Sequence, residues 1–374
     1  MQYYDIIIVG GGLAGLTAAL DLVQKNHSVL VFEKQQFPHH KVCGEYVSNE
    51  ICAYLDRLGI DFNTIHPAAI EQLQVTTIEG KSITAKLPLG GFGISRYAFD
   101  NLLYEKAIFL GVSFVFEKVT SVQFQNDRFE VIAEQEIMYT SKYVIGAFGK
   151  RSNLDKSLQR SFMNRKSEWL GVKAHFSLEE FPSNLVALHS FKGGYGGLSK
   201  TETGAVNFCY LASYKSFQSE KNVEAFNANI VAKNPYLRAF LNNATPIFNE
   251  PLSIAQISFD QKEAVEEHIL MCGDSAGLIH PLCGNGMAMA IHSAKLAAEL
   301  IHKSLEGNGM SRQGLETAYK KQWNKTFRNR LWAGRQLQAL LLNERLSNTM
   351  LSIITKSPKA LKHLIKLTHG EPIL

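Results

Sequence analysis

The chain contains no apolar run of the roughly 18 residues that a membrane-crossing helix requires. It has neither an internal repeat nor a low-complexity tract. Helical membrane proteins, solenoids and disordered scaffolds are thereby set aside. Cysteine is scarce: Cys43, Cys52, Cys209, Cys272 and Cys283 form no paired metal-ligand spacing, and their odd number argues for reduced thiols. His39-His40 has no neighbouring acid or cysteine to complete a ligand set, so no metal is expected. No recognition motif for nucleic acid accompanies the basic residues, and no such partner is expected. An apolar run that begins at Ile6 leaves no room for a cleavable leader, which makes the cytoplasm the expected compartment. What is present is globular: 374 residues, 45% hydrophobic and 20% charged, enough for one large or two interleaved domains.

The formal net charge of +5 is unevenly spread, with thirteen Lys and Arg against four Asp and Glu between 301 and 374. Apolar residues interleave with them (Leu340 to Leu342, Ile353, Ile354, Leu361, Leu364 and Ile365). The pattern reads as amphipathic helices packed on the body of the protein with a solvated basic face. Peripheral contact with a membrane surface is its second reading.

Near the N-terminus, Ile6 to Val9 is a short run of β-branched residues, as expected of a buried parallel strand. Gly10, Gly12 and Gly15 follow with the spacing Gly-x-Gly-x-x-Gly. The first permits a tight turn, the second lets backbone approach a pyrophosphate, and the third lets helix pack on strand. Leu13 to Gln24 reads as a helix with its first amides toward the phosphates. The next strand, Ser28 to Phe32, ends at Glu33, 18 positions after Gly15. That is where an acceptor for ribose hydroxyls belongs, and it disfavours a 2′-phosphate. NAD and FAD share this fingerprint.

About 260 residues further on, a second apolar strand, Ile269 to Cys272, delivers Gly273-Asp274 to the carboxyl edge where open α/β sheets bind ligands. Gly284, Asn285 and Gly286 then start a helix from Met287 to His302 whose free amides can face negative charge. Two other signatures are missing. Gly193-Gly-Tyr-Gly-Gly197 lacks the strand and helix of a second dinucleotide fingerprint. Cys43-Gly-Glu-Tyr-Val-Ser48 has serine where a Cys-x-x-x-x-Cys dithiol would carry its second sulfur, which sets dithiol chemistry aside. Between the motifs, helices are expected near 49–58, 96–110 and 221–241. A meander is expected over 119–124, 129–133 and 136–139, a separate short strand at 143–146, and several strands over 169–213.

In order and content the motifs resemble the FAD-dependent oxidoreductases of the p-hydroxybenzoate hydroxylase-fold superfamily, in its aromatic-ring hydroxylase and geranylgeranyl reductase branch. The resemblance covers the chain to about His302. It rests on Gly10, Gly12 and Gly15 with Glu33, on Lys41-Val-Cys-Gly-Glu-Tyr-Val-Ser48, on Arg96 with Phe99-Asp100, and on Gly273-Asp274 through Gly286. It implies an α/β fold with a Rossmann-like, GR2-type FAD-binding layer that is discontinuous in sequence (1–70, 95–160 and 265–305). An inserted sheet-rich substrate domain (71–94 and 161–264) and a helical C-terminal region (306–374) complete it. It implies FAD as cofactor and NADH or NADPH as reductant. Glu33 and Lys34 would bind the cofactor after the second strand. Arg96 would contact FAD, Val119 would lie by the adenine, and Cys43 and Gly44 would run near the flavin ring. Asp274 would reach the ribityl-pyrophosphate region, with Gly284, Asn285, Gly286 and Met287 at the ribityl chain and ring.

Two departures bear on the reaction. Hydroxylases of this kind carry Gly-Ala-Asp-Gly after the middle strand; here Phe148 replaces the acid in Gly146-Ala-Phe-Gly149, which speaks against direct NAD(P)H docking. Prenyl reductases carry Tyr-x-Trp-x-Phe-Pro; here Tyr195-Gly-Gly-Leu-Ser199 keeps only the tyrosine. The leading expectation is a monooxygenase that hydroxylates a hydrophobic aromatic or polyketide-like molecule. The alternative is a C=C reductase of a prenyl lipid, favoured by the Cys-Gly-Glu segment. A flavin-binding sensor, motivated by Phe148, is the non-enzymatic reading. Candidate catalytic residues are Cys43, His280 and Tyr195. The plainer readings are a small residue in a crowded turn, a structural histidine and a core aromatic. Glu45 is an acid or base if buried and a solvated loop carboxylate otherwise.

Overall fold

The structure, a computed structural model, describes residues 2–220, 222–278, 284–307, 310–342 and 370–374. The apolar run at Ile6 closes strand β1 (Gln2–Val9), followed by helix α1 (Leu13–Val23) and strand β2 (Val29–Phe32). Next come β3 (Tyr46–Ser48), α2 (Cys52–Arg57), β4 (Ala68–Thr76) and β5 (Ser82–Gly93). Helix α3 (Arg96–Phe109) starts where the Ser95 hydroxyl accepts from the Ala98 N–H. Strands β6 (Ser113–Val115), β7 (Val119–Gln125), β8 (Arg128–Ala133) and β9 (Met138–Gly146) lead to the short α4 (Asn153–Ser157). The middle of the chain is β10 (Trp169–Ser177), β11 (Leu185–Phe191), β12 (Gly194–Lys200) and β13 (Val206–Ser213), then α5 (Tyr214–Phe217), α6 (Val223–Asn229) and α7 (Pro235–Asn243). Four short strands, β14 (Thr245–Pro246), β15 (Leu252–Ile254), β16 (Val265–Glu266) and β17 (Ile269–Met271), precede α8 (Gly286–Leu305) and α9 (Arg312–Leu342).

One sheet runs β16-β17-β9-β1-β2-β6, and from β17 to β6 all its pairings are parallel. Its middle strands are buried on both faces, with Ile6, Ile7, Ile8, Val31 and Ile145 inaccessible. Helices α1, α3 and α8 pack together on it, and α9 lies on α8. The two strands expected at 136–139 and 143–146 are one: β9. Its first half pairs antiparallel with β8 while its last residues pair parallel with β17, and its other edge pairs with β1 throughout.

The second sheet runs β14-β10-β13-β12-β11-β4-β5-β3, with β15 also on β10. It takes in Tyr46–Ser48 and Ala68–Ile70, which the sequence reading placed within 1–70 of the flavin layer. Leu170, Val172, Phe176, Phe208 and Tyr210 point from one face into a core closed by Phe226, Val231, Leu237 and Phe240. The helix expected over 221–241 is broken there, because Pro235 cannot continue a backbone ladder and Asn234 caps α7 by accepting from the N–H groups of Tyr236 and Leu237. The opposite face of the sheet looks toward residues 41–45. Among the described residues no helix is long and apolar enough to cross a membrane. The basic–apolar pattern over 343–369 lies outside them.

Candidate functional site

At the end of β1 the chain turns at Gly10, with φ +110°. A Cβ there would overlap the carbonyl oxygen of Ala147, so only glycine lets the turn pass this close to the end of β9. Gly15, likewise without a Cβ, lets α1 lie against the Gly10 carbonyl. Gly12 stands at the N-cap of α1 with no side-chain cap, which leaves the first-turn amides open to a ligand. A Cβ on Gly12 would find the Arg96 guanidinium at 3.7 Å. Glu33, buried after β2, accepts from the N–H of Gly11 at 3.0 Å and of Gln35 at 3.2 Å. An acid anchored beside the glycine turn fits a ribose diol. Lys34 is exposed beside it, and Val119 is buried at the start of β7.

Arg96 grips Asp100 one helical turn on, Nε to Oδ1 at 2.7 Å and NH2 to Oδ2 at 2.8 Å, and Lys41 Nζ reaches the same carboxylate at 3.0 Å. Burial raises the carboxyl of Asp100, but the charges of Arg96 and Lys41 outweigh it and hold it below the usual range. Burial lowers the guanidinium, and Asp100 outweighs that, with Cys43 and Asp274 also acting on it. Arg96 therefore links the glycine turn to the segment that runs from Lys41 to Glu45.

The segment from Lys41 to Gly44 is held carbonyl by carbonyl. Lys173 Nζ donates to the Lys41 oxygen at 3.3 Å and Lys150 Nζ to the Val42 oxygen at 3.4 Å. Asn207 Nδ2 donates to the Cys43 oxygen at 3.2 Å and the Ser199 hydroxyl to the Gly44 oxygen at 3.3 Å. In a planar trans peptide the N–H points opposite to the carbonyl. Each N–H from residue 42 to residue 45 thus points away from the side chain that binds the carbonyl of the same peptide, leaving backbone donors in the segment. Glu45 is not a solvated loop carboxylate: it is fully buried and bonded to Lys173 and His175.

The second motif is fastened with equal density. The Gly273 N–H donates to the Ser293 hydroxyl at 2.8 Å. Lys262 Nζ donates to the carbonyls of Asp274 and Lys150, both at 2.8 Å, and burial lowers this lysine to about 8. The Ser275 hydroxyl accepts from the Gly149 N–H at 2.8 Å, tying the segment after Phe148 to the motif. Phe148 itself packs on the core. Gly284, with φ +60°, faces the Tyr46 ring, where a Cβ would sit 3.0 Å away. Asn285 is buried and donates to Glu50, Gly286 opens α8, no acid occupies its first turn, and Met287 is buried. His280 and Cys283 lie outside the described residues.

Tyr195 is buried beside Leu211, Ile257 and Leu278, with Trp169, Leu188, Ile254 and Phe259 around them. Tyr195, Leu211 and Trp169 belong to the sheet face that also carries Ser199, Asn207 and Lys173, as the strand register requires. Cys43 is half-buried. Burial raises the thiol of Cys209, on the same sheet face, to about 12. Lys150, Lys173, His175, Ser199, Asn207 and Lys262 escaped the sequence reading. The signal was there in β10, where Lys173 and His175 alternate with apolar residues, but alternation reads as a solvent face until the other layer is known.

Glycine turn, anchored acid, open amides at the start of α1 and a paired arginine fit FAD. A family model described as the FAD binding domain matches residues 3–325, and the chain belongs to that family. It is 25% identical over 338 residues to the digeranylgeranylglycerophospholipid reductase of Methanocaldococcus jannaschii, covering 86% of this chain and 82% of that one. Its fold is similar to that of the flavin-dependent brominase Bmp2, with TM-score 0.82 and 19% identity over 98% of this chain and 93% of that one. A geranylgeranyl bacteriochlorophyll reductase-like protein from Thermoplasma acidophilum gives TM-score 0.77 and 20% identity over 98% and 100%. The chain is an FAD-dependent oxidoreductase.

Proposed function

We propose that this oxidoreductase is a monooxygenase that hydroxylates a hydrophobic, aromatic or polyketide-like small molecule, with NADH or NADPH as the source of electrons. The observation that carries the reading is a buried apolar cluster in which Tyr195 and Leu211, on the sheet that holds the Cys43-Gly44 segment, pack with Ile257 and Leu278. A flat apolar substrate lodged beside this cluster would gain about 25 cal/mol for each Å² of its own apolar surface removed from water. Bound FAD would supply the electrons and the oxygen chemistry. The chain's own residues would bind and orient it: the α1 amides at the phosphates, Glu33 at the ribose, Asp274 at the ribityl chain, and Arg96 in contact with FAD. The start of α8 would favour negative charge on the ring, and the apolar cluster would help to exclude water from the reacting atoms.

A second reading, reduction of a C=C bond in an isoprenoid, is favoured by Cys43 in the pinned segment and by the reductase among the relatives. The holoenzyme, reduced without oxygen in the presence of aromatic and isoprenoid ligands and then pulsed with oxygen, separates the two. Hydroxylated product that appears only after the pulse supports the first. Saturated product before the pulse supports the second, and turnover of neither ligand class sinks both.

A further inference from the structure

Glu45 stands with φ +54° in the left-handed region, which costs a residue with a Cβ about 1–2 kcal/mol. It is also fully buried, where an ionised carboxylate is expensive unless every oxygen is bonded. The bonds are there. One oxygen pairs with Lys173 Nζ and accepts the Arg96 N–H at 2.7 Å; the other bonds His175 Nε2 at 2.6 Å. Burial raises this carboxyl, but the His175 hydrogen bond and the Lys173 charge outweigh it and keep it ionised. Lys173 is itself inaccessible and lies beside the Phe248 ring. His40 packs edge-on to His175 and against Tyr97 and Phe248. Burial first, then Lys173 and His175, lower His40 to about 4, so it brings no charge at neutral pH.

His40, Glu45 and His175 bring ligand atoms within 4.8 Å of one another, so the fold supplies the acid that the sequence around His39-His40 lacks. Lys173 argues against a metal there. A divalent ion would have to share one carboxylate with a buried ammonium, leaving positive charge uncompensated in a dry interior. The lysine already fills the cation's place.

We propose that Glu45 and Lys173 form a positioning pair that sets the reduction potential of bound FAD, holding the Cys43-Gly44 segment in place and fixing two opposite charges behind it. The inference is independent of which reaction the enzyme catalyses. Two-electron reduction by dithionite, with protons drawn from solvent, places negative charge on the ring. A fixed charge buried nearby shifts that equilibrium according to its sign, because interior charges are weakly screened. Removing the anion should favour reduction and removing the cation should oppose it.

The test is the potential of the holoenzyme at pH 7, read against a redox dye, for wild type, E45Q, K173M and the double variant. E45Q should raise and K173M lower the reduction equilibrium by about tenfold, about 30 mV each for a two-electron couple. The double variant should return to within about threefold of wild type, and E45D should stay there with it. Singles that move in the same direction, or that stay within about threefold, overturn the proposal, as does E45D moving as far as E45Q. If both singles lose flavin, the double decides: flavin retained at the wild-type potential supports the pair, and flavin lost or a shift beyond about tenfold overturns it. A stoichiometric divalent metal in the purified wild type also overturns it.

Discussion

Glu50 holds Asn285 across the length of the chain: Asn285 Nδ2 donates to the buried carboxylate at 3.3 Å. The same carboxylate takes Arg330 NH1 at 3.3 Å and the N–H of Gly370, and the Glu50 carbonyl takes the Ile373 N–H at 2.7 Å. Ile373 is buried in the main core. The start of α8, the middle of α9 and the last residues therefore share one anchor. Deleting Gly370–Leu374, or making Glu50→Gln, should loosen the start of α8 and weaken FAD binding. Hydrogen bonds to charged groups are worth about 1.5–3 kcal/mol each. Flavin content after dialysis and the melting temperature check this, and a truncated protein that keeps both would refute it.

Arg96→Lys should retain the charge but lose the two-pronged grip on Asp100. Asp100→Ala should do more harm, because it strands a largely buried guanidinium at a cost of about 3–5 kcal/mol. Calorimetry with FAD should rank affinity as wild type, then Arg96→Lys, then Asp100→Ala. An equal loss in both variants would show that charge alone matters.

Gly15→Ala forces a methyl into the Gly10 carbonyl. Overpacking of this kind costs about 1–3 kcal/mol, and more where the obstacle is backbone. The expected result is protein that either fails to fold or folds without flavin, seen in the visible absorption of the purified chain. A yellow, stable Gly15→Ala protein would remove the basis for the close strand–helix approach.

Acid should destabilise the fold through histidines buried in neutral form. Burial lowers His189 to about 4, and burial followed by the charges of Arg330 and Lys295 does the same to His292. Their native values lie below the ordinary 6.5. The unfolded chain thus takes up protons that the native one refuses as pH falls from 6.5 toward 4. Stability is complete above that window and declines within it. For His189, which is 2% exposed and bonds the Thr76 hydroxyl at 2.8 Å, the slope is at most about 1.4 kcal/mol per pH unit. Urea midpoints between pH 7 and pH 4 should fall less steeply in His189→Gln, and unchanged steepness would count against this cause.

The flavin layer was legible because its signals are local. Gly10 to Gly15 and Glu33 carry their own backbone logic, and Gly273-Asp274 follows a strand that could only be interior. Glu45 was not, since its partners Lys173 and His175 are 128 and 130 residues away. No pattern around residue 45 distinguishes a buried carboxylate from a solvated one. Tyr195 is a different case. Its strand is rich in glycine because Gly194 and Gly196 lie against Leu211 and Phe208 of the neighbouring strand β13, a matter of sheet packing and not of turns. Phe148 read as a lost acid and is, in the fold, a partly buried side chain packed against the core.

Strand β9 has a consequence for how the chain assembles. Its hairpin with β8 closes over a few residues, whereas its partners β1 and β17 are separated in sequence by more than a hundred positions each. Short-range closure is entropically cheaper and faster than long-range pairing. The β7–β9 meander is thus positioned to fold early and to present the edges onto which both ends of the chain are recruited. In native-state hydrogen exchange its amides should be among the last to open, with β17 and α8 exchanging sooner as a detachable unit.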